Sequence, residues 1–182
     1  MKVVVLVGPE SSGKSALATL LQRHFGGVLL GEYVREYIDA CQRDTRYSDI
    51  SIIAREQLAR EDTARAAQPG LLILDTHLLS NMLWSQTLFH DCPEWLGPAL
   101  LARHYDLHLL LSPEGVEWIA DGQRCQPDLA QRQVFHQACQ RWLIDHQQPW
   151  LGLDGNWQQR QTRALEAVAQ LLGRYSAPLR QP

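Results

Sequence analysis

Lysine is nearly missing from this sequence. Of its 17 basic side chains only Lys2 and Lys14 are lysines, and the other fifteen are arginine. Arginine covers most surface roles of a cation, so a lysine kept inside the chain points to a task for a compact point charge. Long apolar runs are missing too. The longest, Val3–Val7, has five residues, whereas a membrane-spanning helix needs about 20. Met1–Val7 starts like a signal peptide, but Gly8-Pro9-Glu10 ends it short of an apolar h-region. These features predict a soluble, cytoplasmic chain with no membrane partner. An excess of positive charge is also lacking: 17 Lys+Arg stand against 20 Asp+Glu, for a net charge of -3. That excludes a domain built to grip a long nucleic-acid backbone. The four cysteines (Cys41, Cys92, Cys125, Cys139) form no C-x-x-C pair and no zinc spacing, which predicts reduced, structural thiols.

What is present is 45% apolar residues in 182, enough for one domain with its own core and little room for a second. Val3–Val7 reads as a buried parallel strand. A helix to about Phe25 follows, then a short strand at Val28–Gly31 and helical spacing over Val34–Cys41. A long helix capped by Ser48 or Asp49 runs to Pro69-Gly70. Leu71–Leu74, ending in Asp75, is the third strand. A helical region broken at Asp91-Cys92-Pro93 leads to a fourth strand at Asp106–Leu111. A polar loop, 112–127, precedes a helix from about Asp128 to His146, a strand near Pro149–Leu153 and a helix over roughly Trp157–Arg174. Strand alternating with helix predicts an α/β three-layer fold on a mainly parallel five-stranded sheet, as one domain over 1–182.

Gly8-Pro9-Glu10-Ser11-Ser12-Gly13-Lys14-Ser15 fits the phosphate-loop pattern G-x-x-x-x-G-K-[ST], between a strand and a helix as that motif requires. The glycines let backbone N–H groups curl inward around a phosphate, and the helix N-terminus adds partial positive charge. Lys14 reaches the β- and γ-phosphates, and Ser15 offers a hydroxyl to Mg²⁺. Gly8, Glu10, Ser11, Ser12, Gly13, Lys14, Ser15 and Ala16 are therefore the predicted ATP-binding residues. Asp75, a carboxylate closing an apolar strand, is the predicted second Mg²⁺ partner, and a helix-capping Asp is its plainer reading.

Phosphate binding does not by itself separate kinases from switches. An Asn-Lys-x-Asp guanine element is absent. Motor and AAA-type ATPases need longer chains and sensor elements, and are set aside. A small-molecule kinase needs a second pocket, a base and a lid. The lid candidate is about 112–132, where Arg124 and Arg132 could neutralise charge on the transferring group; two solvated arginines are the alternative. Glu32, after the second strand, is a candidate base or orienting acceptor with Arg35 beside it, or else an exposed helix start. The competing class is a regulator that hydrolyses ATP slowly.

Taken in order, several segments resemble the ribosylnicotinamide kinase domain of NadR-type NAD-salvage proteins. They are the Glu10-Ser11-Ser12 form of the phosphate loop, Glu32-Tyr33-x-Arg35-Glu36, Tyr47-Ser48-Asp49, Gln57, Asp75-Thr76, Tyr105-Asp106 and Trp118-Ile119-Ala120-Asp121-Gly122-x-Arg124 with Arg132. The resemblance implies a nucleoside-kinase fold with a lid, and transfer of the ATP γ-phosphate to the 5′-hydroxyl of nicotinamide riboside; the runner-up is a kinase of the same shape for another nucleoside or small alcohol. It implies Glu32 and Arg35 near the riboside, Tyr33 or Trp118 stacked on its cationic ring, and Asp49 and Asp121 as further riboside contacts. Glu32 or Asp75 would take the acceptor proton, Lys14 would hold the phosphates, and Arg124 and Arg132 would be the lid arginines. Such proteins commonly carry an adenylyltransferase domain, and some a DNA-binding segment; 182 residues accommodate the kinase step alone. The family also tends to show Asp-Thr-Asp after the third strand, where this chain has Asp75-Thr76-His77. A histidine cannot supply that second negative charge.

Overall fold

Five Val or Leu residues in a row leave a strand with no polar face, and such a strand is stable only with both faces covered. The computed structural model, which describes residues 1–174, uses them that way. β1 (Lys2–Val7) lies between β3 (Leu71–Asp75) and β4 (Leu107–Leu111). β2 (Val28–Leu30) lies beyond β3 and β5 (Trp150–Leu153) beyond β4, and every pairing is parallel. Val4 and Leu6 pack against Leu17 and Leu21 of α1 (Lys14–Phe25) and Ala164 and Val168 of α7 (Trp157–Leu171). Val3, Val5 and Val7 face the other layer, built from α3 (Tyr47–Ala66), α4 (Leu78–Phe89), α5 (Leu96–Leu101) and α6 (Leu129–Asp145). Each fully buried Leu or Val contributes on the order of 2 kcal/mol. The nine-residue α2 (Tyr33–Cys41) buries none of its residues fully and packs on α3.

The three-layer α/β fold expected from sequence is thus present, with differences at element ends. Arg46, not Ser48 or Asp49, is the N-cap of α3, and the Asp49 carboxylate reaches back to accept the Arg46 N–H at 2.8 Å. α7 ends at Leu171, and the last eight residues of the domain expected over 1–182 lie outside the described residues. Residues 112–128 join β4 to α6 without regular structure, and Asp128 caps α6 by accepting the Ala130 N–H. No helix among the described residues is long and apolar enough to cross a membrane.

The strand order matters for function. From β1 the chain passes to β2 and then β3 on one side of it, and from β3 it crosses to β4 on the other, which opens a crevice at the carboxyl ends of the strands. Gly8, Glu32 and Asp75 each follow or close one of those ends.

Candidate active site

The phosphate loop leaves β1 in a tight curl that two glycines make possible. Gly8 has φ +138° and Gly13 φ +94°. A Cβ at Gly8 would lie 2.6 Å from the Leu111 carbonyl oxygen, and one at Gly13 would lie 2.9 Å from the Trp157 ring. The Ser12 hydroxyl is buried and donates to the Pro9 carbonyl at 2.9 Å. Lys14 Nζ donates to the carbonyls of Gly8 (3.1 Å) and Pro9 (2.7 Å), so its charge lies over the loop. Residues 10–16 form one end of a cavity of about 470 Å³.

Glu32 and Arg35 line the same cavity. Glu32 is the N-cap of α2, but its side chain does not cap the helix; the carboxylate lies 3.6 Å from Arg35 Nε. Burial raises the Glu32 pKa; Lys14 and Arg35 lower it and Asp75 raises it further, and the net result is upward. Asp75 is buried, and its Oδ1 has no hydrogen-bond partner among the described residues.

The segment expected to be a lid borders this cavity through Gln123, Arg124 and Cys125. Arg35 Nη1 pairs with Asp121 at 2.8 Å, and Asp121 pairs with Arg124 Nε at 3.1 Å. Burial works to raise the Asp121 pKa, but the Arg35 guanidinium and the Gln123 and Arg124 amides override it and lower it to about 2. Gln123 Nε2 donates to Asp39 of α2 at 2.6 Å, and Arg124 lines the cavity. On the phosphate-loop side, Glu10 accepts from Trp118 Nε1 (2.7 Å), the Cys125 N–H (3.1 Å) and the Gln126 N–H (2.7 Å). Arg132, in the first turn of α6, is 4% exposed, and its Nε and Nη1 have no partner among the described residues.

Four expectations change. Asp49 is buried, and its oxygens accept from Tyr37, from Arg43 twice and from the Arg46 N–H, which leaves it fastening α2 to α3 and holds its pKa far below the usual range. A riboside contact is therefore not its placement. The Tyr33 ring is covered by the Arg60 guanidinium at 4.3 Å, and the Trp118 indole is engaged by Glu10. Among the described residues the cavity's aromatic walls are instead Trp84 and Phe89, with Ser80 and Asn81 beside them on α4. No periodicity marked these residues, because polar and apolar side chains alternate irregularly along α4. Cys125 is exposed on the lid, and only Cys139 is fully buried.

His77 does not stand where a metal ligand would. Thr76 adopts φ 72°, an uncommon value for a β-branched residue, and His77 turns into the core. Its Nε2 lies 3.3 Å from His108 Nε2, and its ring meets Tyr105 edge-on.

A family model described as an AAA domain matches residues 3–160, from β1 into α7. The chain belongs to that family. This corrects the exclusion of AAA-type proteins drawn from chain length. Among curated proteins, it is 23% identical over 178 residues to the "Trifunctional NAD biosynthesis/regulator protein NadR" of Salmonella typhimurium and to that of Escherichia coli K12. Each match covers 95% of this chain and 43% of the relative, so the chain spans less than half the length of those proteins. Among solved structures, NadR protein in complex with NR superposes with a TM-score of 0.79 at 24% identity, covering 99% of this chain and 54% of that one. Deoxyadenosine kinase from M. mycoides with bound dATP gives 0.65 at 11% identity, covering 92% and 99%. These likenesses show that the chain shares the α/β fold of those structures.

Proposed function

We propose that this chain is an ATP-dependent phosphotransferase that phosphorylates the 5′-hydroxyl of nicotinamide riboside to nicotinamide mononucleotide. The observation that carries the reading is the place of Glu32: its carboxylate lines one cavity together with the phosphate loop, bordered by a segment tied to Arg35 on one side and to Glu10 on the other. The similarity of the chain to NadR proteins, one of them solved with NR, supports the choice of acceptor.

In this reading Lys14 and the amides of residues 10–16 hold the triphosphate. The buried, unpartnered Asp75 oxygen and the Ser15 hydroxyl in the cavity wall fit Mg²⁺ and would hold it. When bound, the metal neutralises phosphate charge. Glu32 accepts the proton of the 5′-hydroxyl as that oxygen bonds to the γ-phosphorus and the bond from phosphorus to the β–γ bridging oxygen breaks. Arg124 and Arg132 balance the charge on the group in transfer; a buried guanidinium with two unpartnered nitrogens is costly unless an anion joins it. Arg35 and Asp121 steady the riboside end. ATP and a water-soluble riboside make the cytoplasm the proposed compartment.

The test is incubation with Mg-ATP and nicotinamide riboside, with the mononucleotide followed by mass spectrometry. Product that vanishes in Lys14→Ala supports the reading. ATP bound tightly without product, and with transfer to another nucleoside, replaces the acceptor. ATP hydrolysis that no acceptor stimulates points to a regulator instead.

A further inference from the structure

Glu10 is an unexpected residue for a phosphate loop, whose work is to present donors to a polyanion. A carboxylate there opposes that work unless its charge is engaged elsewhere. Both of its oxygens are engaged. Oε1 accepts the Trp118 indole N–H and the Gln126 N–H, each at 2.7 Å, and Oε2 accepts the Cys125 N–H at 3.1 Å. The next residue adds two more ties: Ser11, with φ 56°, donates its hydroxyl to the Glu117 carbonyl (3.3 Å) and accepts the Ile119 N–H (3.2 Å). Five hydrogen bonds thus run from two adjacent phosphate-loop side chains to the lid segment 117–126. The far side of that segment is held by α2, through Arg35–Asp121 and Gln123–Asp39.

We propose that Glu10, assisted by Ser11, is a positioning residue whose side chain clasps the lid to the phosphate loop, and that its contribution is lid placement rather than nucleotide contact. Charge-assisted acceptance by a carboxylate makes this clasp stronger than neutral pairing would. With the clasp closed, the negative charge is spent on lid donors and Arg124 stands over the cavity. With it open, a free carboxylate lies beside the phosphates, so a bound triphosphate favours the closed lid. The phosphate loop is then a lid sensor as well as an anion cradle. The catalytic consequence rests on the kinase reading; the clasp itself does not.

Hydrogen–deuterium exchange of the whole chain, with and without a non-hydrolysable ATP analogue and Mg²⁺, separates the two. In Glu10→Ala we expect segment 117–126 to exchange about tenfold faster or more, with β1, β3 and β4 unchanged. Trp118→Phe, which removes one donor, gives a smaller rise confined to the same segment. In turnover, Glu10→Ala lowers kcat and raises acceptor-independent ATP hydrolysis, while KM for ATP stays within about twofold. Unchanged lid exchange in Glu10→Ala overturns the proposal, as does a rise in KM for ATP alone. Should Glu10→Ala lose its fold, Glu10→Gln and Trp118→Phe decide on the same exchange readout. Absence of transfer to any acceptor would sink the kinase reading and leave the exchange result standing.

Discussion

The side-chain amide of Gln57, buried in α3, accepts the Tyr33 N–H at 2.8 Å and donates to the Gly31 carbonyl at 3.4 Å. Those two groups flank Glu32. One glutamine, from a different helix, thereby fixes the backbone on both sides of the proposed base. The turn from β2 into α2 has few other constraints, since α2 buries none of its residues fully.

Gln57→Leu keeps the volume and removes both bonds. We expect kcat to fall about 10- to 100-fold with KM for ATP within about twofold, because misplacing a reacting group by an ångström has costs of that size. Stability should drop by about 1–3 kcal/mol as the two backbone groups lose their partner. Steady-state kinetics beside a denaturant titration check both. Equal loss of kcat and ATP affinity would contradict the positioning role.

Glu32 gives a pH signature. Its raised pKa means that the carboxylate of the proposed base is lost by protonation at a pH above the ordinary value of 4.5. Wild-type kcat/KM should therefore decline on acidification through that raised value. Glu32→Gln should be slower by about 100-fold and should lack this acid limb. A limb that persists in Glu32→Gln would move the role of base to another group, with Asp75 next in line.

The cavity wall makes a prediction about the acceptor. Trp84 is half-buried, backed by Phe135 at a centroid distance of 4.8 Å, and lines the cavity beside Phe89. An indole face attracts a cationic ring. Trp84→Ala should raise KM for nicotinamide riboside about tenfold and leave KM for ATP alone. Wild type should prefer the cationic riboside over its uncharged reduced form, and Trp84→Leu should weaken that preference. An unchanged preference would deny the indole face a part in recognition.

How far the sequence could be read follows from the range of each interaction. β1 and the phosphate loop were legible because a run of five apolar residues and an eight-residue motif are local patterns. The sheet followed because parallel strands need helical crossovers. The ties from Glu10 to Trp118 and Gln126 join residues more than a hundred positions apart, which no spacing reveals. Trp84 stayed hidden because Leu78, Leu79, Met82 and Leu83 fill the core side of the same helix, so no polar face marked the cavity. Asp49 misled because a helix-start acid suits a capping box and a ligand contact equally well in sequence. Its four donors decide for the former.

His77 carries the last prediction. His108 Nδ1 lies 3.0 Å from the Pro149 carbonyl, which can only accept, so Nδ1 bears the proton and Nε2 is an acceptor. His77 Nε2 must then donate across the 3.3 Å contact, which leaves His77 Nδ1 bare and without a partner among the described residues. Both rings are neutral in this arrangement. Burial, aided by His108 and Arg65, holds the His77 pKa well below 6.5, and burial depresses that of His108 to about 4 against one stabilising carbonyl. The unfolded chain binds these protons near pH 6.5 and the folded chain does not. Stability from the pair is therefore complete above pH 6.5 and falls as the pH drops below it, for His108 down to about 4, by about 1.4 kcal/mol per pH unit for each histidine that the unfolded chain alone protonates. His77→Phe keeps an edge-on ring against Tyr105 but strands the His108 acceptor. Its stability at pH 8 should be lower by about 1–3 kcal/mol, and its decline below pH 6.5 shallower than that of the parent. Denaturant titrations across that range measure both. A variant as acid-sensitive as its parent would mean that His77 titrates freely in the folded protein.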